Sequence, residues 1–482
     1  MERKQYFMSL TSKVAQNTII QIIGKVVSTA LGLATVGLMT RYLGREGFGW
    51  YTTVTAFLQF FGILVDMGLS MVIIQLISET PEETEKITKN IFTFRLISAI
   101  IFLGLAPFVV LFFPYPAIIK WGVALTALSF LFISLNQIII SLFQKYLRMD
   151  KVAIAEIIGR LVLLAGVILV VYFGWGFLPV MGMIVLGSLV NLVANLFFVR
   201  RYVTIGLAFD FAVWKKVWLR TWPIALSIAF NLVYFKADTI ILSLYWPQTE
   251  VGIYGATYKV LEVLTQLTYL FMGLILPIYS AYWASQNFDK FKQAIQKAFD
   301  FTSIITWPMV VGGFFLAGPI MIFVAGADFS AAAPILQILI FATGTIFITN
   351  VFTYAVVAAN LQKKMLWGFI LAAIFGLAGY LLLIPTYSYF GAAGMTVAVE
   401  CFITLFAFLV VYRTLKFVPS FIIFGKALLA SLVMGVAVAF LVVYQINLLV
   451  VIVLGALIYT LILFLLGGYQ KETVREILNW RG

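Results

Sequence analysis

Nine ionisable side chains fall inside stretches that are otherwise apolar: Lys25, Asp66, Glu156, Arg160, Lys236, Asp238, Lys259, Glu262 and Glu400. If these stretches cross a membrane, each charge costs at least ~2.5–3.5 kcal/mol on insertion scales and should face an opposite charge or a wet cavity. At ~1.5 Å of rise per residue, Lys25 and Asp66 come ~15–18 Å from the cytoplasmic ends of adjacent antiparallel helices and can pair. On a later helix pair Asp238 and Lys259 lie ~10–12 Å from the opposite ends and Lys236 and Glu262 ~15 Å in, giving two ion pairs or one quartet. Glu156 and Arg160 are spaced i,i+4 and can satisfy each other. Glu400 is left alone.

Two readings of these charges stand side by side. In the first they are structural bridges, which accounts for eight of the nine. In the second Lys25, Lys236 and Lys259 face a cavity and hold an anion, while Asp66, Asp238, Glu262 and Glu400 balance charge or couple an ion. Lysine is a point charge rather than a bidentate fork, so the contact would be weak and releasable. Arg41, near a helix end, is a fourth candidate cation and serves equally well as a headgroup anchor. Amides at similar depth (Asn17, Gln21, Gln59, Asn136, Gln137, Asn191, Asn195, Asn231, Gln266, Asn350) could line a polar path or bond between helices.

Other chemistry is excluded by residues the chain lacks. There is no histidine, which removes histidine zinc sites, serine or cysteine triads and histidine proton relays. The one cysteine, Cys401, lies in an apolar stretch, so neither a disulfide nor a cysteine metal cluster is expected. No GxxxxGK[ST] stretch occurs, so the chain is not expected to burn ATP, and no cofactor or metal is implied.

The elements that must position these groups are membrane helices. The chain is 63% hydrophobic and 11% charged over 482 residues, with a mean hydropathy of +1.08, which is the composition of a polytopic membrane protein without a sizeable soluble domain. Spans are read at roughly 15–39, 50–78, 91–113, 118–143, 153–173, 177–199, 219–246, 252–284, 301–325, 332–359, 365–384, 390–412, 422–443 and 447–468. Of the 32 basic residues, 25 fall at the termini and in the gaps after even-numbered spans, counted with one turn of flanking helix. By the positive-inside rule both termini are cytoplasmic. The formal net charge of +13 is then topology and attraction to anionic lipid, and no nucleic acid is implied.

The first span carries Gln16, Asn17, Gln21 and Lys25 and is read as a mature helix rather than a signal peptide. Trp50, Tyr51, Trp121, Trp175, Trp246, Trp283 and Trp307 fall near span ends, as interfacial rings do. In the gap after the eighth span, Phe288, Phe291, Ile295 and Phe299 recur at helical spacing, so a short helix lying on the cytoplasmic surface is expected there.

A shift of 203 residues superposes Gly49 on Gly252 and Tyr51 on Tyr254. Each pair sits at a corner between an outgoing and an incoming span, which predicts two parallel six-span repeats about an axis along the membrane normal. The expected organisation is an N-lobe at 1–215, a C-lobe at 216–415, and two further helices with a cytoplasmic tail at 416–482.

The run Gln21-x-x-Gly24-Lys25, then Arg41-Tyr42-Leu43-Gly44-x-x-Gly47-Phe48-Gly49-x-Tyr51, then Asp66-x-Gly68 resembles the opening of the polysaccharide transporter family. These are Wzx-type flippases of the MOP superfamily. Lys236-x-Asp238-Thr239-Ile240-Ile241-Leu242 and Val251-Gly252-x-Tyr254 resemble its mid-chain signature. The resemblance implies an all-α MOP fold of about fourteen transmembrane helices in the cytoplasmic membrane. It also implies alternating-access transfer of a polyprenyl-pyrophosphate-linked oligosaccharide, with Lys25, Arg41, Lys236 and Lys259 meeting the pyrophosphate. Membrane lipids, and the glycosyltransferases and polymerase of the same pathway, are the implied partners.

Driving force would come from the membrane potential alone or from H⁺ or Na⁺ coupling. Rival readings are a MATE-like cation-coupled exporter, a lipid II flippase, and a membrane glycosyltransferase or ligase. The short, almost uncharged odd-numbered gaps disfavour the enzyme.

Overall fold

The computed structural model describes residues 2–468, with side chains from residue 20 onward except at 71, 75, 78, 81, 223–224, 226–227, 229 and 231–235. In hydrocarbon every backbone N–H and C=O must be bonded within its own segment, and apolar runs of this length therefore fold as helices. They are α1 (Glu2–Asp66), α2 (Leu69–Glu79), α3 (Thr84–Val109), α4 (Ala117–Lys145), α5 (Met149–Phe173), α6 (Phe177–Val199) and α7 (Phe211–Tyr245). After them come α8 (Gln248–Ala284), α9 (Phe288–Phe315), α10 (Ala317–Ala325), α11 (Ala333–Ala358), α12 (Gln362–Leu415), α13 (Ile422–Val443) and α14 (Leu448–Leu465).

Eleven stretches among the described residues are long and apolar enough to cross a membrane, and the protein is a multi-pass membrane protein. Two of them, Ile20–Asp66 with 47 residues and Gln362–Leu415 with 54, are about twice the ~20 residues that one crossing needs. Each turns at a single residue of positive φ, Gly44 (φ 64) and Ser388 (φ 52). The turns fall where the sequence separates the first span from the second and the eleventh from the twelfth. Span limits at 177–199 and 422–443 coincide with α6 and α13.

The chain divides into two compact units, Met1–Gly255 and Ala256–Gly482. In the first, Val54, Phe57, Leu58 and Val65 of α1 pack with Ala99, Leu103, Ile119, Val123, Phe177 and Met181 of α3, α4 and α6. Leu69, Val72, Ile73 and Leu76 of α2 pack with Ile91, Ile138, Ile139, Leu142 and Phe143. In the second unit α9 packs against α11 and α13, α11 against α12, and α13 against α14. Val311, Ala427, Ala430, Met434, Val438, Val451 and Tyr459 form a core among α9, α13 and α14.

One expectation about the elements fails. The segment from Phe288 is not a separate surface helix but the start of α9, which is capped by Asn287 through its Oδ1 and the Lys290 amide at 3.1 Å. Phe291, Ile295 and Phe299 are buried. Phe291 packs on Tyr279 and Trp283 at 5.5 and 5.3 Å between ring centroids, and Phe299 on Phe421 and Phe424 at 5.5 and 6.0 Å. The apolar face has aromatic partners from α8 and from the chain leading into α13, and so does not need lipid.

Candidate functional site

The charges at membrane depth meet partners different from those expected. Lys25 does not pair with Asp66 but lies 3.6 Å from Glu156 of α5, both side chains partly exposed at 35% and 25%. The glycines of α1 explain the choice. A Cβ on Gly24 would stand 2.5 Å from that of Ala153, and one on Gly32 would stand 3.5 Å from the Arg160 guanidinium. The glycine face thus seats α1 closely on α5, which turns Lys25 toward Glu156. Arg160, deprived of Glu156, lies along the same face and forms no ion pair among the described residues. Two cations and one carboxylate therefore share a half-open patch between α1 and α5.

Asp66 is held instead by Arg95 of α3, at 2.6 Å from Nη1. Arg95 stands one turn inside the span read at 91–113, about three turns into α3, in the flanking turn that the positive-inside count includes. It is 1% exposed, the largest fully buried side chain among the described residues. The pair sits at a break in the second span, where Met67 (φ 45) and Gly68 (φ 76) separate α1 from α2. Arg95 Nε donates to Ser134 Oγ at 2.9 Å, Ser70 Oγ to Asp66 Oδ1 at 2.9 Å, and Ser141 Oγ to the Ser70 carbonyl at 3.0 Å. Side chains of α3 and α4 thus bind both sides of the break, as irregular backbone at membrane depth requires.

Asp238 is fully buried and collects three donors: Tyr254 OH at 2.6 Å, the Thr239 amide at 2.5 Å and Thr239 Oγ1 at 3.1 Å. The Lys236 charge also acts on it. The Asp238-Thr239 and Gly252-x-Tyr254 signatures therefore meet as one hydrogen-bonded lock between α7 and the start of α8. Lys259 Nζ donates to Glu262 Oε2 on the next turn at 2.9 Å. Arg41 is exposed, with Nη1 donating to the Gly37 carbonyl at 2.8 Å. Glu400 is 4% exposed and no ion pair reaches it among the described residues.

The amides divide. Asn136 and Asn195 both donate to Asn191 Oδ1, at 3.3 and 2.9 Å, joining α4 to α6. Gln59 Oε1, Gln266 Oε1 and Asn350 Nδ2 are buried without a partner among the described residues. Asn17 and Asn231 lie outside the described side chains.

Beyond the spans, Asp210 caps α7 by accepting from the Ala212 amide at 2.9 Å, and it pairs with Lys86 at 2.7 Å. The Lys86 hydrogen bond, helped by the α7 amides, holds the Asp210 carboxyl below the usual aspartate range. Glu79, bonded by Arg220 at 2.8 Å, is lowered for the same reason. Tyr115, which shares a 2.7 Å hydrogen bond with Ser243 Oγ, is pushed up to about 12 by burial.

Residues 14–283, more than half of the chain, match the family described as polysaccharide biosynthesis protein. The chain belongs to that family. A curated relative is the succinoglycan biosynthesis transport protein ExoT of Rhizobium meliloti (strain 1021). It is 23% identical over 341 residues, which cover 69% of this chain and 66%, just under two thirds, of that protein's length. Among solved structures, the inward closed conformation of the lipid II flippase MurJ superposes with a TM-score of 0.78 at 16% identity, covering 96% of this chain and all of that one. An inward-facing multidrug resistance MATE transporter of the MOP superfamily superposes at 0.66 and 13% identity, covering 83% and 99%. These likenesses show that this family member shares the fold of those two proteins.

Proposed function

We propose that this protein carries a polyprenyl-pyrophosphate-linked oligosaccharide from the inner to the outer leaflet of the cytoplasmic membrane. The observation that carries the reading is the half-open cationic patch of Lys25 and Arg160 in a member of a polysaccharide biosynthesis family that has a transporter fold. In this reading transfer proceeds by alternating access between an N-lobe (1–215) and a C-lobe (216–415), with both termini cytoplasmic. Lys25 and Arg160 meet the pyrophosphate, and Glu156 occupies Lys25 when the cargo is absent. Arg41, Lys236 and Lys259 are further cations for the same anion.

Saccharide hydroxyls cost several kcal/mol each to desolvate without partners, so a wet path is required. Moving two negative charges outward across 100 mV gains ~4–5 kcal/mol, enough to bias transfer without ATP. H⁺ or Na⁺ coupling through Asp66, Asp238 or Glu400 would add to it. Glycosyltransferases and a polymerase would make and consume the cargo.

The test is transfer of a labelled polyprenyl-pyrophosphate oligosaccharide across proteoliposomes, with and without an imposed potential. Protein-dependent transfer is expected, with at least a tenfold loss in Arg160→Ala and in Lys25→Ala. No transfer with several headgroups, together with cationic dye movement in the same vesicles, would replace this reading with a multidrug exporter.

A further inference from the structure

Helices α5 and α6 nearly touch. A Cβ on Gly159 would stand 2.8 Å from that of Asn191, and one on Gly187 would stand 3.0 Å from the Gly159 carbonyl oxygen. Packing this close brings the end of α6 beside the start of α5, and four cations from two separate stretches of chain collect there. Arg148 binds both oxygens of Asp150, at 2.9 and 3.0 Å, and lies 5.9 Å from the Tyr202 ring. Lys151 stands 3.5 Å from Asp150 and 5.4 Å from the Phe198 ring, and Arg200 is stacked 3.9 Å from the centre of Phe197. Arg201, next in the chain, is exposed and in no ion pair among the described residues. Asp150 is the carboxylate paired within this group. Glu85, to which Thr204 donates two residues past Tyr202, is neutralised by Lys89 at 2.6 Å.

We propose that this corner binds the phosphate headgroup of an anionic phospholipid. Arg148 is committed to Asp150 and fixes its place, which leaves Lys151, Arg200 and Arg201 to meet the phosphate, the arginines with planar forks that match its oxygens. A zwitterionic lipid brings a quaternary ammonium as well, which the same cations repel. In the orientation proposed above the corner faces the cytoplasm, so the lipid comes from the inner leaflet. Basic pockets between helices at that face are where anionic headgroups bind.

The apolar half of such a lipid has a surface too. α5 exposes Ile154, Ile158 and Leu161, spaced by four and three residues and in line with Lys151 three residues earlier. α6 exposes Val193 and Phe197. Phe197 joins the two halves, since its ring carries the Arg200 guanidinium and also offers apolar surface to an acyl chain. A basic residue that serves only as a topological anchor snorkels singly to the interface and needs no fixed geometry. Here Arg148, Lys151 and Arg200 are each held by a ring, a carboxylate or both, so less freedom is lost when a phosphate binds.

The test is native mass spectrometry of the full-length protein in a nonionic detergent, with phosphatidylglycerol or phosphatidylcholine added. The parent should retain phosphatidylglycerol at least fivefold more than phosphatidylcholine at the same concentration. Arg200→Gln, Arg201→Gln should bring that ratio below two. Lys363→Gln, Lys364→Gln, which removes the same charge from exposed positions at the start of α12, should leave it above four. A ratio unchanged in the arginine variant would overturn the site. So would an equal fall in both variants, because the preference would then be long-range charge. Displacement of phosphatidylglycerol by excess inorganic phosphate, or by an equal concentration of polyprenyl pyrophosphate, would also overturn it, the first in favour of a bare anion and the second in favour of the cargo. Lys151→Gln, Arg201→Gln takes the place of the arginine variant if the latter is not monodisperse. No step requires transport, so a failure of the flippase reading leaves this measurement intact.

Discussion

Replacing Arg95 with methionine tests whether a buried ion pair holds the broken second span. Arg95 is 1% exposed and its guanidinium binds Asp66 at 2.6 Å and Ser134 at 2.9 Å. Methionine fills much of the same volume but leaves Asp66 without its counter-charge. Removing one partner of a buried pair costs about 3–5 kcal/mol, but the Asp66 side chain keeps 29% exposure, so water offsets part of the loss and about 2–3 kcal/mol is expected. The double variant Arg95→Met, Asp66→Asn carries no stranded charge and should regain at least half of that loss. The assay is reversible unfolding in mixed micelles, followed by intrinsic tryptophan fluorescence, for parent, single and double variants. A single variant within about 0.5 kcal/mol of the parent would refute the argument. So would a double variant no more stable than the single, because the penalty would then come from lost packing rather than from an uncompensated carboxylate.

Three further outcomes follow from the site. Tyr254→Phe removes one of three donors to the buried Asp238 and should cost about 1.5–3 kcal/mol in the same assay, with Asp238→Asn in the Tyr254→Phe background recovering part. Glu156→Gln frees Lys25, so in the flippase reading the half-saturating cargo concentration should fall and turnover should slow. A rise in the half-saturating concentration would show that Lys25 does not meet the cargo. The Asp210 carboxyl is depressed in the folded chain, so its stabilisation is full above the ordinary aspartate range and is lost as pH falls below about 4. Exchange of the Ala212 and Val213 amides, corrected for intrinsic rate, should accelerate there in the native protein and not in Asp210→Asn.

Hydropathy determined the spans of this protein. Transfer free energy is a property of the local run, so α6 and α13 begin and end where the sequence places them. Gly49 and Gly252, which the sequence picks out by their 203-residue spacing, each stand where a Cβ would run into the backbone of the other helix. Rotation about each helix axis was not legible. It decides which face meets which, and it is set by packing over the whole helix, here by Gly24 and Gly32 seating α1 on α5. Depth arithmetic fixed Lys25 and Asp66 at the same level and still paired them wrongly, since level leaves azimuth undetermined. Arg95 was hidden in the same way, because a single turn separates a lysine-like flank anchor from a buried clamp, and only the positions of Ser134 and Asp66 in space reveal which it is. The amphipathic start of α9 shows the limit from the other side: the sequence marked an apolar face that needed cover, and only the tertiary structure decided that aromatic side chains rather than lipid would provide it.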